Sequence, residues 1–154
     1  MQAEILDTGN PKIAGARIVI NRPASELFNF IANPKNHPKI DGSKMVRGKA
    51  YGPKRLSMNS WFVMRQLRLG KIPYLMPNKV VEFEEGKLIA WRNASPSRWR
   101  YEFVAQSDAT TQVTQYLDCS HTGTKFAKSE LSWAAKAMAK TLVRFKEHIE
   151  LFVE

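Results

Sequence analysis

The sequence predicts an α+β protein in which a curved antiparallel sheet closes on one long C-terminal helix. Two observations carry this. From Glu130 to Phe152, the residues Leu131, Ala135, Met138, Leu142, Phe145, Ile149 and Phe152 step by fours and threes, one apolar stripe of an amphipathic helix. Before it, short β-branched and aromatic runs follow one another across brief turns, the pattern of an antiparallel meander.

Each element has its own signal. Ala16 to Asn21 is a β-branched run and opens the sheet. Ser25 is placed to cap a short helix with Leu27, Phe28, Phe30 and Ile31, and Asn33-Pro34 ends it because a residue before proline avoids helical backbone. Lys35 to Ile40 reads as a second short helix and Asp41-Gly42-Ser43 as a turn. Lys44 to Ala50 and Arg55 to Leu69 read as strands, the latter with Leu56, Met58, Phe62 and Met64 inward. Pro73 and Pro77 make the next stretch irregular or an edge. Lys79 to Glu84, with Val81 and Phe83 inward, and Leu88 to Asn93, with Ile89 and Trp91 inward, form a hairpin around Glu85-Gly86-Lys87. Trp99, Tyr101 and Phe103 alternate with Arg100, Glu102 and Val104, and Thr111 to Cys119 puts Val113, Gln115, Leu117 and Cys119 on one face. His121 to Lys128 is a polar connection, and Ser129 caps the last helix, roughly 34 Å long at 1.5 Å per residue. On its outer face, Lys136, Lys140, Arg144 and Glu147 are expected in water.

The 154 residues are expected to form one domain, 1–154. The N-terminus lacks the charged-then-apolar pattern of a signal peptide and no run is long enough to span a membrane, so a cytosolic (cytoplasmic) location is expected. Cys119 stands alone, which excludes an intramolecular disulfide and a cysteine metal site; it reads as a small buried residue. Net charge is +10 and lies wholly in residues 1–80, with 14 basic and 4 acidic side chains; residues 81–154 hold 10 of each. That footprint fits an anionic membrane surface, an anionic ligand or nucleic acid, or a solvated face with no partner. No nucleic-acid recognition motif accompanies it, so nucleic acid is the least supported. Tyr74-Leu75-Met76, between Arg65, Arg68, Lys71 and Lys79, reads either as an apolar tip for a bilayer or as part of a cavity entrance.

The order of elements and several local patterns resemble one family. The patterns are Ile18-Val19-Ile20 through Pro23 and Phe28, Asn33-Pro34 with His37 and Asp41-Gly42-Ser43, then Val80 to Glu84, Ile89-Ala90-Trp91-Arg92, and Thr111 to Thr114 with Asp118. They are similar to the helix-grip proteins of the SRPBCC superfamily: START-related lipid-transfer proteins, the major birch pollen allergen and, most of all, the bacterial polyketide cyclase/dehydrase-like branch. The resemblance implies a seven-stranded antiparallel sheet around the last helix, two short helices after strand one, and a hydrophobic cavity between sheet and helix. It implies no single activity.

Met58, Phe62, Trp91, Trp99, Tyr101, Gln115, Leu117, Met138 and Leu142 are expected to face one another between sheet and helix. On the residues alone they read as a filled core; with the resemblance they become the wall of a site for a hydrophobic small molecule. Signals for catalysis are sparse. His37, His121 and His148 lie far apart with no metal-ligand spacing, so no metal and no cofactor is expected. His37 reads as structural or exposed and His148 as snorkelling beside the buried stripe. Tyr101, Asp118 and His121 are the remaining candidates for proton transfer in a cyclase/dehydrase-type enzyme. The family pattern often has histidine where Gln115 stands and an aromatic residue where Cys119 stands, departures that count against such an enzyme. The reading is therefore a carrier or sensor of a hydrophobic small molecule, neutral or anionic, with a cyclase/dehydrase-type enzyme and a peripheral membrane- or nucleic-acid-associated module as the alternatives and oligomeric state left open by the sequence.

Overall fold

A computed structural model describes residues 2–152, without the side chains of Phe126 and Phe152, so the stripe position assigned to Phe152 lies outside the described residues. Eight strands form one antiparallel sheet: β1 (Glu4–Leu6), β2 (Ile13–Ile20), β3 (Val46–Tyr51), β4 (Trp61–Arg68), β5 (Ile72–Glu84), β6 (Leu88–Arg92), β7 (Arg98–Ser107) and β8 (Thr110–Asp118), in the spatial order β1-β2-β8-β7-β6-β5-β4-β3. Between β2 and β3 lie α1 (Ala24–Ala32), a 3₁₀ turn (Pro34–Asn36) and α2 (His37–Ile40), and α3 (Thr124–Phe152) follows β8. The α+β class and the sheet-around-helix layout are as expected, with eight strands in place of seven. The extra one, β1, is only three residues long, too short to show a period; it is tied to β2 by Arg17 on Glu4 at 2.8 Å.

The last helix begins six residues earlier than expected and is about 44 Å long. Its buried stripe runs Ala127, Ala134, Met138, Leu142, Phe145 and Ile149, with Leu131 partly covered. Alanines carry the stripe back past Ser129, which is inside the helix and not its cap. Ala134, rather than Ala135, is fully buried. Arg144 also departs from expectation: it is half-buried and donates from Nη1 to the Asp41 carbonyl at 3.1 Å.

In α1 the position before the helix is Pro23, not Ser25. Its buried Leu27, Phe28 and Ile31 close one end of the core, with Phe28 edge-on to Phe83 and Phe103. Asn33 ends α1 in extended backbone, as its place before Pro34 demands, and its side chain accepts from the Lys35 amide to start the 3₁₀ turn.

The strand expected over 55–69 begins only at Trp61. Asn59 has φ 68°, and Ser57 and Ser60 bond each other's backbone and side chains, so 57–60 is a turn. Leu56 is buried, but Met58 is 49% exposed and belongs to that turn. Phe62 and Met64 do point inward. In β5 a bulge between Val80 and Glu82 shifts the alternation, so Val80 rather than Val81 is the fully buried residue. Residues 72–78 of β5 pair with β4 alone, because β6 reaches only to the Lys79–Arg92 pair. Pro73 and Pro77 sit in this overhang, where one side of the ladder is open.

Candidate functional site

A partly open cavity of about 190 Å³ lies between the sheet and the first half of α3. Its floor is Tyr101 on β7 and Gln115 on β8, directly paired across the two strands, with Met138 from α3 opposite. Phe62 and Met64 of β4, Trp91 of β6 and Ile40 of α2 make the sides. Tyr74, Met76 and Asn78 on the β5 overhang, with Asn93, Trp99, Trp133 and Glu130, bound the mouth where β6 stops short. The strands supply these residues at every second position: Phe62, Met64 and Gln66 from β4, Tyr74, Met76 and Asn78 from β5, and Trp99 and Tyr101 from β7.

Aromatic contacts fix the interior. His37 stacks on Trp91, centroids 5.0 Å apart and planes 16° apart, and meets Phe62 edge-on. Trp91 also meets Phe62 edge-on at 5.6 Å and Tyr101 at 5.9 Å. His37 keeps some exposed area as a residue, yet its ring is enclosed by these neighbours. The loss of water pulls its pKa down to about 4, against the opposing pulls of the Ile31 carbonyl and Asp41. His37 Nε2 lies 2.8 Å from that carbonyl and must be the protonated nitrogen, which leaves Nδ1 as the acceptor. Burial raises the Tyr101 phenol above its ordinary range. Gln115 Oε1 is the buried side-chain oxygen left unpartnered among the described residues. Glu130, losing water at the mouth, is also shifted upward.

The turn after α2 locks the cavity to α3. Asp41 accepts from the Ser43 amide, the Ser43 hydroxyl and the Val46 amide at 2.8–3.0 Å. Gly42 donates its amide to Thr141 Oγ1 at 2.9 Å. A Cβ on Gly42 would lie 2.6 Å from Lys140 Cβ and 2.7 Å from the Ala137 carbonyl and Thr141 amide, so only glycine allows this approach.

Of the nine residues expected to form the wall, Phe62, Trp91, Trp99, Tyr101, Gln115 and Met138 line the cavity. Leu117 and Leu142 are fully buried in the packed core instead, and Met58 lies outside on its turn. Tyr74 and Met76 bound the entrance, the Tyr74 hydroxyl donating to Gln66 Oε1 at 2.6 Å. Among the proton-transfer candidates only Tyr101 reaches the cavity. Asp118 is on the other face of β8, 3.9 Å from Arg100; burial pushes its carboxyl up, but its bonds to Ser120 and the nearby Arg100 outweigh that and hold it below the usual range. His121 is exposed and does not line the cavity. Cys119 is buried against the Ser97 hydroxyl at 3.6 Å, and burial raises its thiol. His37, Asn78, Trp133 and Thr141 are wall residues that periodicity missed. The one sequence signal for them was the His37 and 41–43 pattern, which pointed to a family and not to a wall. His148 sits against Phe30 at 5.4 Å, with burial and Lys39 lowering its pKa. No cluster of three or more His, Cys, Asp or Glu able to hold a metal occurs among the described residues.

Solved structures share this layout from end to end. A protein of Rhodobacter sphaeroides superposes with a TM-score of 0.75 at 10% identity, covering 99% of both chains. A START superfamily protein of Mycobacterium smegmatis gives 0.67 at 13%, over 92% of this chain and 99% of that one. A polyketide-cyclase-like protein of Corynebacterium glutamicum gives 0.63 at 13%, over 93% and 94%. The fold is the START-like helix grip. No family model matches the chain. By sequence, an uncharacterized protein of Mycobacterium tuberculosis is 30% identical over 151 residues, which is 91% of this chain and 66% of that protein. The chain thus spans 66% of the length of that curated relative. In helix-grip terms, the cavity described above is the space between sheet and grip helix. Among the described residues no helix is long and apolar enough to cross a membrane.

Proposed function

We propose that this chain is a carrier or sensor that buries a compact, uncharged hydrophobic molecule between the sheet and α3. The observation that carries the reading is the make-up of the wall. In a protein of net charge +10, none of the described cavity-lining residues is Lys or Arg, and the ionisable ones are Asp41, Glu130, two tyrosines and His37. An anionic group would find no cation there, so the anionic ligand that the basic half allowed is set aside. Aromatic faces and the sulfur atoms of Met45, Met64, Met76 and Met138 suit a flat apolar body, and ligand transfer from water supplies the driving force. The volume is below the ~300–1,000 Å³ of drug-sized sites, which favours one or two rings over a two-chain lipid.

A proton-transfer enzyme of cyclase/dehydrase type is less well supported. A general acid or base works best with a pKa near the working pH. His37 at about 4 stays neutral and weakly basic, and the Tyr101 phenol, shifted upward, stays protonated. Both suit hydrogen bonding to a bound ligand.

Native mass spectrometry of the purified protein, followed by titration with a neutral aromatic dye and its carboxylate analogue, tests the reading. The expected result is saturable binding of the neutral dye, at least about tenfold tighter than the carboxylate, and loss of binding in Met138→Trp with the fold intact. Absence of saturable binding by well-folded protein, or preference for the carboxylate, overturns it.

A further inference from the structure

The β4–β5 hairpin carries an unusual apex. The turn from Arg68 to Lys71 is closed by the Lys71 amide on the Arg68 carbonyl at 3.1 Å, and both central residues have positive φ, 54° at Leu69 and 69° at Gly70. Such a turn favours Asn, Asp or Gly at each centre. Leucine is the wrong residue there twice over, for backbone conformation and for solubility, since Leu69 is 85% exposed. Beside it Ile72 is 57% exposed, and Leu75, about 10 Å back along the strand, is 62% exposed. Arg68 pairs with Ile72 and Lys71 precedes it, while Arg65 pairs with Leu75 on the opposite face of the hairpin; all three cations are exposed and none has a carboxylate partner among the described residues. They belong to the stretch from Lys35 to Lys79 that holds eleven basic residues and one acid, Asp41.

We infer that this hairpin tip docks on an anionic lipid bilayer, with Leu69 and Ile72 entering the interface and Arg68 and Lys71 on the headgroups. Apolar side chains that enter by about 5–10 Å, ringed by basic ones, are what an anionic interface rewards. A second copy of this chain would bring like charge against like charge. Nucleic acid would reward the cations but not the leucine. The inner face of the same hairpin supplies Gln66, Tyr74 and Met76 to the cavity mouth, so docking brings the mouth towards the bilayer. Arg68 and Ile72 continue that inner face out to the exposed tip, and the docking does not depend on what fills the cavity.

The test is sedimentation with vesicles of phosphatidylcholine, alone or with about 30% phosphatidylserine, at low and high salt. The wild type is expected to bind the mixed vesicles, weakly at high salt and weakly on pure phosphatidylcholine. Leu69→Asn suits the left-handed position, so it should fold at least as well while losing about tenfold in vesicle affinity. The double variant Arg68→Glu/Lys71→Glu should lose at least about tenfold. Unchanged vesicle binding by Leu69→Asn overturns the inference, as does equal binding to neutral and anionic vesicles. Two other outcomes also overturn it: an oligomer that Leu69→Asn dissociates, or binding to an oligonucleotide, and not to vesicles, that only the charge variant abolishes.

Discussion

From Leu142 to Ile149, α3 buries Leu142, Phe145 and Ile149 at 3% exposure or less, with Phe145 stacked on Phe30 at 5.0 Å. From Thr124 to Thr141 the same stripe continues, but among the described side chains the covered positions before Met138 are Ala127 and Ala134, Leu131 is only partly covered, Trp133 is 37% exposed, and Met138 and Thr141 face the cavity. Large side chains in the second half fill the space under the helix. Small ones in the first half do not, and the unfilled volume is the cavity. One helix therefore serves as anchor at one end and as wall at the other. Stability and binding should respond to different residues along it.

The largest expected effect is on the anchor. Phe145→Ala should cost about 3–5 kcal/mol by urea denaturation, through lost burial plus the void left behind. A cost under about 1.5 kcal/mol would mean that the second half of α3 is not the anchor. Next comes pH, through His37. Its folded pKa lies below its ordinary value, so the unfolded chain binds more protons between about 6.5 and 4, and stability present above that window is lost as pH falls through it. The drop from 6.5 to about 4 corresponds to roughly 3 kcal/mol at most. His148 is shifted in the same direction, so the measurement is the difference between wild type and His37→Gln, which keeps a donor for the Ile31 carbonyl. Parallel stability–pH curves for the two proteins would show that the His37 ring is well solvated.

Gly42→Ala probes the seam between the two halves. Its Cβ meets backbone atoms of α3, so the helix must shift, at about 1–3 kcal/mol, with dye binding weakened as well. Retained binding at unchanged stability would separate the turn from the cavity. The smallest stability effect belongs to the wall. Trp133→Ala removes a half-exposed ring that meets Trp99 at 6.3 Å and should cost about 1 kcal/mol or less, yet it should reduce dye affinity several-fold. If stability falls sharply and binding does not change, the wall and anchor roles are reversed.

Much of this layout was legible because it is written in periodicity. The alternation of Trp99, Tyr101 and Phe103, and of Val113, Gln115 and Leu117, put the cavity floor in view. Periodicity says which face a residue occupies and not how far along the helix–sheet seam it lies, which is why Leu117 and Leu142 were placed in the wall although they are packed core. Met58 failed for a local reason: Asn59 adopts a left-handed backbone that hydrophobic alternation does not report. His37 was missed because its position comes from α2 folding back over the sheet, a tertiary placement with no local sequence signature.

The β5 overhang leaves seven residues of backbone without a neighbour on one side, next to the cavity mouth. Such an edge is a template on which a strand of another molecule can add. Pro73 and Pro77 are four apart, so both remove an amide on the same side of the strand. Since β4 takes up the other side, the missing donors fall on the exposed edge, and an incoming strand would find two rungs gone. The prolines thus act as gatekeepers against aggregation. With those two rungs missing, the gap in the sheet is a poor fit for a strand from another copy of this chain.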